Sequence, residues 1–353
     1  MNVLVLGATG SIGKQTIDII KKLKYRLCGI SFYSNNIIAS KIKTNFKFSP
    51  INRKISNVAS YKELIVKSKP DIIVNAIVGF AGLEATLLSI QYCKTLCLAN
   101  KESLVVAGQF VMKIAKQNHV SIYPIDSEHT SIYQILKQHP NDKFQKLYIT
   151  ASGGPFYQMD SVQLKNVTYA QATNHPTWKM GGKISIDSAT LINKCFEIIE
   201  AYWYFHTTKI VPLYHPQSFI HAIVEYKNKK IMFASKPDMH LPIYQAITKF
   251  KHKQPYVKPL INRFILEPID QNKWLPIKWA YQCIKNSNSS LPIIINAANE
   301  EAINLFKQSK IKFTDITLLI AKAITHFGIS TIKTIHDVYE IDKNVRLYIG
   351  TYA

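Results

Sequence analysis

The feature that most constrains this chain lies at its start, where Val3-Leu4-Val5-Leu6 runs directly into Gly7-Ala8-Thr9-Gly10-Ser11-Ile12-Gly13 and then into a helical pattern. A short apolar strand, a glycine-rich turn and a helix N-terminus together cradle an anion, because glycines let backbone amides approach a pyrophosphate. The spacing is Gly-x-x-Gly-x-x-Gly, and a purely structural glycine turn is the competing reading. Further β-branched runs follow at Leu27 to Phe32, Asp71 to Ala76, Thr95 to Ala99 and Ser121 to Ile125. Helical spacing over Thr16 to Leu23, Ala81 to Ser89 and Ser103 to Gln117 lies between them. Alternation of this kind predicts an α/β fold with an N-terminal Rossmann-like parallel sheet.

After Asp126 the pattern changes. A helix (Ser127 to Gln138), a strand (Lys146 to Ala151), a Gly-Gly turn and one long helix from Ser188 to about Tyr204 predict a central α+β domain. Phe219 to Glu225 and Lys230 to Ala234 read as a hairpin around Asn228 that extends a sheet used for dimer contact. Residues 249–273 are rich in Lys and Pro and lack periodicity, which predicts a connector. From Leu275 onward a C-terminal helical domain is expected, with Asn296 to Gln308 and Thr314 to His326 its clearest helices. The expected division is therefore 1–126, 127–248, 249–273 and 274–353.

Composition narrows the classes. With 353 residues and 47% hydrophobic content the chain has material for packed cores, so disorder is excluded as its main theme. The 44 Lys and Arg against 22 Asp and Glu give +22, compatible with nucleic acid, membrane surface or anionic small substrates. No Arg-rich arm or aromatic RNP pattern supports nucleic acid. Five scattered cysteines set mostly among apolar neighbours suit a reducing compartment. The apolar stretch Ile72 to Ile90 carries Asn75, Glu84 and two glycines, so it is not a membrane span. No basic n-region or cleavage site precedes Val3, and a cytoplasmic location is expected.

An NAD site places Asp or Glu at the end of its second strand to accept from the ribose hydroxyls. Here no acidic residue occurs from Ile19 to Lys62, an interval holding ten Lys or Arg, and Ser31, Ser34, Asn35 and Asn36 stand in its place. Nothing there repels a 2′-phosphate, so NADP is preferred, with Gly7, Thr9, Gly10, Ser11, Ile12, Ser34 and Asn35 as candidate cofactor contacts.

Asp126-Ser127-Glu128-His129 follows a strand, where α/β sheets bind ligands, and two carboxylates two residues apart can converge on one hard cation. A third oxygen can come from Glu197 or Glu200. Asn193, Lys194 and Glu197 share one helix face, and a solvated surface stripe is the alternative reading.

These blocks, together with Leu98-Ala99-Asn100-Lys101-Glu102-Ser103-Leu104, Ala151-Ser152-Gly153-Gly154-Pro155-Phe156, His175-Pro176-Thr177-Trp178-Lys179-Met180-Gly181, Asp187-Ser188-Ala189-Thr190, His215-Pro216-Gln217-Ser218, Pro237-Asp238-Met239 and Asn296-Ala297-Ala298-Asn299-Glu300, resemble the 1-deoxy-D-xylulose 5-phosphate reductoisomerase family in order over nearly the whole chain. The resemblance implies NADPH- and divalent-metal-dependent conversion of 1-deoxy-D-xylulose 5-phosphate to 2-C-methyl-D-erythritol 4-phosphate in non-mevalonate isoprenoid synthesis, by a V-shaped homodimer. It implies Mg²⁺ or Mn²⁺ on Asp126, Glu128 and Glu197, which with Lys194 form the expected catalytic set. Lys101, Ser127, Glu128, Ser152, His175, Trp178, Ser188, Asn193, Lys194 and Glu197 would meet the phosphorylated sugar. Asn100, Glu102, Gly181 and Met239 would join the glycine loop in meeting NADPH. One departure is that many relatives carry Gly-Lys-Asn where this chain has Tyr33-Ser34-Asn35.

Within the resemblance, His175 and Lys194 are expected to add positive charge near the substrate phosphate, and the Trp178 to Met180 stretch is expected to close as a lid. The alternative function is another NADPH oxidoreductase, such as a semialdehyde or homoserine dehydrogenase, which would not need three carboxylates around a metal. The non-enzyme rival, a nucleic-acid-binding protein, rests on the +22 charge alone.

Overall fold

The computed structural model describes residues 1–44, 51–54, 58–157, 159, 161–178, 181–252, 264–271 and 274–352. It divides into two compact units: 1–103, 110–130 and 238–254 form the first, and 104–109, 131–237 and 255–353 the second.

The first unit is built on β1 (Asn2–Leu6), β2 (Arg26–Phe32), β3 (Ile51–Lys54), β4 (Ile72–Asn75), β5 (Thr95–Leu98) and β6 (Ser121–Pro124). They pair in the order β3-β2-β1-β4-β5-β6, every pair parallel, which is the doubly wound arrangement the alternation predicts. Strand order reverses between β1 and β4, and that reversal opens a crevice at the strands' carboxyl ends. The glycine-rich turn leaves β1 at this point. Val3, Val5, Ile30, Ile72 and Val74 fill the core with Ile17 and Ile20 of the helix Ser11–Lys22. A late segment completes the unit: Ile243, Ala246 and Ile247 of the helix His240–Ile247 join the same cluster. β3 and the helices Asn36–Thr44 and Val58–Ser68 are elements beyond those the sequence pattern predicts.

The second unit holds a mixed sheet of β7 (Phe144–Ala151), β8 (Ile210–Tyr214), β9 (Ile220–Tyr226), β10 (Lys230–Ala234) and β11 (Glu267–Pro268), in the order β10-β9-β7-β8-β11. The expected hairpin is present as antiparallel β9 and β10, with β10 at the sheet edge. The helix expected from Ser188 to Tyr204 is instead two, Gly182–Ala189 and Ile192–Phe205, separated by Leu191 at φ +61°. A left-handed residue ends one helix and redirects the next, and no glycine or proline announced it. Three helices, Leu291–Lys307, Asp315–Phe327 and Ile335–Gly350, pack together toward the C-terminus.

Four parts, 1–126, 127–248, 249–273 and 274–353, are expected from the sequence; by packing, Asp238–Gln254 groups with the first unit and the C-terminal helices with the second. Of the expected connector, 253–263 and 272–273 lie outside the described residues, as do Lys179 and Met180 of the expected lid. No helix among the described residues is long and apolar enough to cross a membrane.

Candidate functional site

In the first unit the glycine turn is fixed from below. Gly7 N–H donates to Ser31 Oγ at 3.0 Å and Ala8 N–H to Ser31 O at 2.9 Å, so the end of β2 sets the loop's height. A side chain at Gly13 would place its Cβ 2.3 Å from Gly7 O, so this helix turn must be bare. Gly10 differs, since its nearest neighbour would be 3.4 Å away and the space beside it stays open for a ligand. Thr9, Ser11 and Ile12 stand on the same turn, while Ser34 and Asn35 lie exposed just beyond β2. Asn35 Oδ1 accepts from Ile38 N–H at 3.0 Å and thereby caps the following helix.

Asn100 and Glu102 are buried. Asn100 Nδ2 donates to Ile77 O at 2.8 Å, Gly79 O at 2.9 Å and Glu102 Oε2 at 3.0 Å, tying down the loop after β4. Met239 packs against the core of this unit beside the helix His240–Ile247.

Parallel pairing also assembles the carboxylates. β5 and β6 are neighbours with Leu98 opposite Pro124, so the residues just beyond their ends, Lys101 and Asp126, emerge side by side. Lys101 Nζ lies 2.7 Å from Asp126 Oδ2, and His129 Nδ1 lies 3.2 Å from Asp126 Oδ1. Burial alone would raise the Asp126 carboxyl, but the Lys101 ammonium and His129 outweigh it and hold it well below the usual carboxylate range. Asp126 is thus ionised, with Oδ1 also accepting Glu128 N–H at 3.3 Å. Ser127 Oγ donates to Glu128, whose carboxylate brings an oxygen within 4.8 Å of one from Asp126. Carboxylate oxygens at that spacing suit a hard dication. His129 had no assigned role in the sequence; its place three residues after Asp126 on the helix Ser127–Gln138 was the available signal.

In the second unit, the helix Ile192–Phe205 carries Asn193, Lys194 and Glu197. Lys194 and Glu197 are both buried and form an ion pair; Asn193 Nδ2 donates to Glu197 Oε1, and Lys194 Nζ also donates to Thr150 O of β7. This settles the stripe as inward-facing. Glu200, buried on the same helix, is the other carboxylate the sequence allowed.

A second cluster gathers Ser152, His175 and Ser188. Ser152 Oγ is 3.0 Å from His175 Nε2 and 3.3 Å from Ser188 Oγ, and it accepts from Gly154 N–H at 3.2 Å. His175 Nδ1 accepts from Thr177 N–H at 3.2 Å and Trp178 N–H at 3.0 Å, so in the neutral ring Nε2 carries the proton and donates to Ser152. Burial pushes His175 down to about 4. The expectation of a positive His175 is therefore corrected: as packed here it is a neutral donor. Ser152 Oγ already accepts twice, which turns its own proton toward Ser188 and leaves the Ser188 hydroxyl proton available to an incoming anion. The Trp178 ring lies 5.9 Å from that of His221, whose Nε2 is 2.9 Å from Ser235 Oγ. Gly181 is extended, directly before the helix Gly182–Ala189, with open space at its Cα.

Comparison with known proteins agrees with this chemistry. Family models described as 1-deoxy-D-xylulose 5-phosphate reductoisomerase match residues 3–64 and 39–108, and models of that enzyme's C-terminal domains match 122–205 and 234–348. A protein of Malacoplasma penetrans named 1-deoxy-D-xylulose 5-phosphate reductoisomerase is 46% identical over 99% of this chain and 95% of its own length. The Zymomonas mobilis enzyme of that name, solved in complex with NADPH, superposes with a TM-score of 0.84 at 32% identity, covering 99% of this chain and 98% of that one. A DOX-P reductoisomerase solved with NADPH, fosmidomycin and magnesium gives 0.85 at 30% identity, covering 100% and 98%.

Proposed function

The chain belongs to the 1-deoxy-D-xylulose 5-phosphate reductoisomerase family, and from that premise we propose how its residues divide the work. The activity is NADPH- and divalent-metal-dependent rearrangement and reduction of 1-deoxy-D-xylulose 5-phosphate to 2-C-methyl-D-erythritol 4-phosphate, a step of non-mevalonate isoprenoid synthesis. The observation that carries it is the 46% identity over nearly the full length, which a semialdehyde or homoserine dehydrogenase reading does not explain.

The first unit binds NADPH, with the pyrophosphate over Gly7, Thr9, Gly10, Ser11 and Ile12 at the helix N-terminus and the 2′-phosphate against Ser34 and Asn35. Asn100, Glu102, Gly181 and Met239 shape the cofactor's surroundings. Asp126, Glu128 and Glu197 hold Mg²⁺ or Mn²⁺; the all-oxygen donor set, and the ionised Asp126 beside Glu128, support this. When bound, the ion supplies Lewis acidity and orientation to adjacent substrate oxygens.

The chain's own groups do the rest. Ser188 and Asn193 donate hydrogen bonds to the substrate phosphate, and behind Ser188 neutral His175 and Ser152 form the donor chain that holds its hydroxyl proton outward. Lys101 places positive charge where a ketone or enolate oxygen gains negative charge, Lys194 adds positive charge near the substrate phosphate, and Ser127 orients Glu128. Trp178 closes over the sugar and excludes water during reduction. Retro-aldol cleavage and re-addition before hydride transfer is the favoured order. On this reading every NADPH contact except Gly181 comes from the first unit, and the substrate-phosphate residues Ser152, His175, Ser188 and Asn193 come from the second. A homodimer joined through the β9–β10 edge, where Met232 is 49% exposed, and a cytoplasmic location complete the proposal.

The test is NADPH oxidation with 1-deoxy-D-xylulose 5-phosphate, with and without chelator. Turnover that needs Mg²⁺ or Mn²⁺ supports the reading. Turnover of aspartate semialdehyde or homoserine in its place favours the alternative.

A further inference from the structure

Ser188 sits in the last turn of a short helix, and that helix is anchored by a group far away in sequence. Asp187, the residue before Ser188, is buried, and its Oδ1 accepts from Asn299 Nδ2 at 2.7 Å. Its other oxygen, Oδ2, pairs with Lys183 Nζ at 2.9 Å, one turn back on the same helix. Asn299 lies on the helix Leu291–Lys307 and is itself fully buried. Successive residues on a helix point about 100° apart, so Asp187 turns toward that partner helix while Ser188 turns toward Ser152. The opposite side is fixed as well. Gly154 follows the Ser152 turn at φ +68°, and a Cβ there would lie 2.7 Å from Ala189 Cα, so the turn's bare backbone packs on the helix end.

We propose that Asp187 and Asn299 are a positioning pair: their hydrogen bond sets the rotation and depth of the helix Gly182–Ala189, and so the distance from Ser188 Oγ to the Ser152 and His175 donors. This rests on the reading that Ser188 binds the substrate phosphate. A carboxylate only accepts, so Asn299 faces it with its amide nitrogen, and no apolar residue of similar size replaces that link. Lys183 keeps the buried Asp187 charge compensated when Asn299 is truncated, so the loss falls on orientation rather than on folding. A displacement of about 1 Å at a binding group is enough to cost ~100-fold in a positioned reaction.

The experiment is a double-mutant cycle on the full-length enzyme with Asn299→Ala and Ser188→Ala, reading KM for 1-deoxy-D-xylulose 5-phosphate, KM for NADPH, kcat and thermal midpoint. Asn299→Ala is expected to raise the sugar-phosphate KM about tenfold while the NADPH KM stays within about twofold, a loss comparable to one charge-assisted hydrogen bond. In the Ser188→Ala background the same substitution is expected to add little. Asn299→Asp faces two carboxylates and is expected to be worse, and the exchange Asp187→Asn with Asn299→Asp is expected to restore the sugar-phosphate KM in part. If Ser188→Ala leaves that KM unchanged, the phosphate reading of Ser188 fails. If Ser188→Ala raises it but Asn299→Ala does not, or raises it equally in both backgrounds, the positioning pair is overturned. A fall in the thermal midpoint of Asn299→Ala with both KM values unmoved assigns the bond to stability alone and also overturns it.

Discussion

Lys101 and Asp126 meet at 2.7 Å because two neighbouring parallel strands end in register, Leu98 opposite Pro124, and each chain continues a few residues past its strand. The ammonium keeps a half-buried carboxylate ionised, and both groups stand where open α/β sheets receive ligands. Lys101→Met is expected to lower kcat/KM for the sugar phosphate by at least ~100-fold while NADPH binds as before, because a charge aimed at the reacting oxygens is lost. Steady-state kinetics with a separate NADPH fluorescence titration checks both halves.

The glycine turn makes a contrast. Gly13→Ala drives a Cβ to 2.3 Å from Gly7 O and 2.6 Å from Ala8 Cα, so it is expected to lower the thermal midpoint as well as NADPH affinity. Gly10→Ala meets nothing closer than 3.4 Å, so the fold is expected to survive while NADPH affinity falls, since the added methyl occupies the space the pyrophosphate needs. Melting curves beside NADPH titrations separate the two.

His175 gives a pH dependence with a definite sign. Its folded pKa of about 4 lies below the unfolded value of 6.5, so the unfolded chain binds the extra proton first. The stability it contributes is whole above pH 6.5, falls as the pH drops from 6.5 toward 4, and is gone below that. Urea midpoints measured across this window are expected to decline more in the wild type than in His175→Gln, which keeps a neutral donor and acceptor.

Much of this was legible in the sequence, and the losses have physical causes. The periods of Val3 to Leu6 and Leu27 to Phe32 gave their strands to within a residue, because buried parallel strands are continuous apolar runs. β3 is a four-residue edge strand, Ile51-Asn52-Arg53-Lys54, with too little apolar content to stand out. The break at Leu191 lacked a glycine or proline. Asp126, Glu128 and Glu197 were visible as spacing on their own elements. The Lys101–Asp126 and Asp187–Asn299 pairs were not, since each depends on which strands or helices become neighbours.

Trp178 places its ring 5.9 Å from His221 and its amide on His175 Nδ1. Trp178→Ala is expected to raise the sugar-phosphate KM and lower kcat together, by about tenfold in kcat/KM, as closure over the substrate weakens. Unchanged kcat and KM would remove it from the site.

Cofactor choice is testable without mutation. No carboxylate stands at the end of β2, where Ser31 holds Gly7 N–H through its hydroxyl, so kcat/KM with NADPH is expected to exceed that with NADH by ~100-fold or more. Equal values would refute the assignment of Ser34 and Asn35 to the 2′-phosphate.

The most direct test of the carboxylate assignment is a Mn²⁺ titration, followed by calorimetry, of the wild type and of Asp126→Asn, Glu128→Gln and Glu197→Gln, each first saturated with NADPH. The account predicts that all three variants keep NADPH affinity and weaken Mn²⁺ at least ~10-fold. Glu197→Gln binding Mn²⁺ as tightly as the wild type would contradict it.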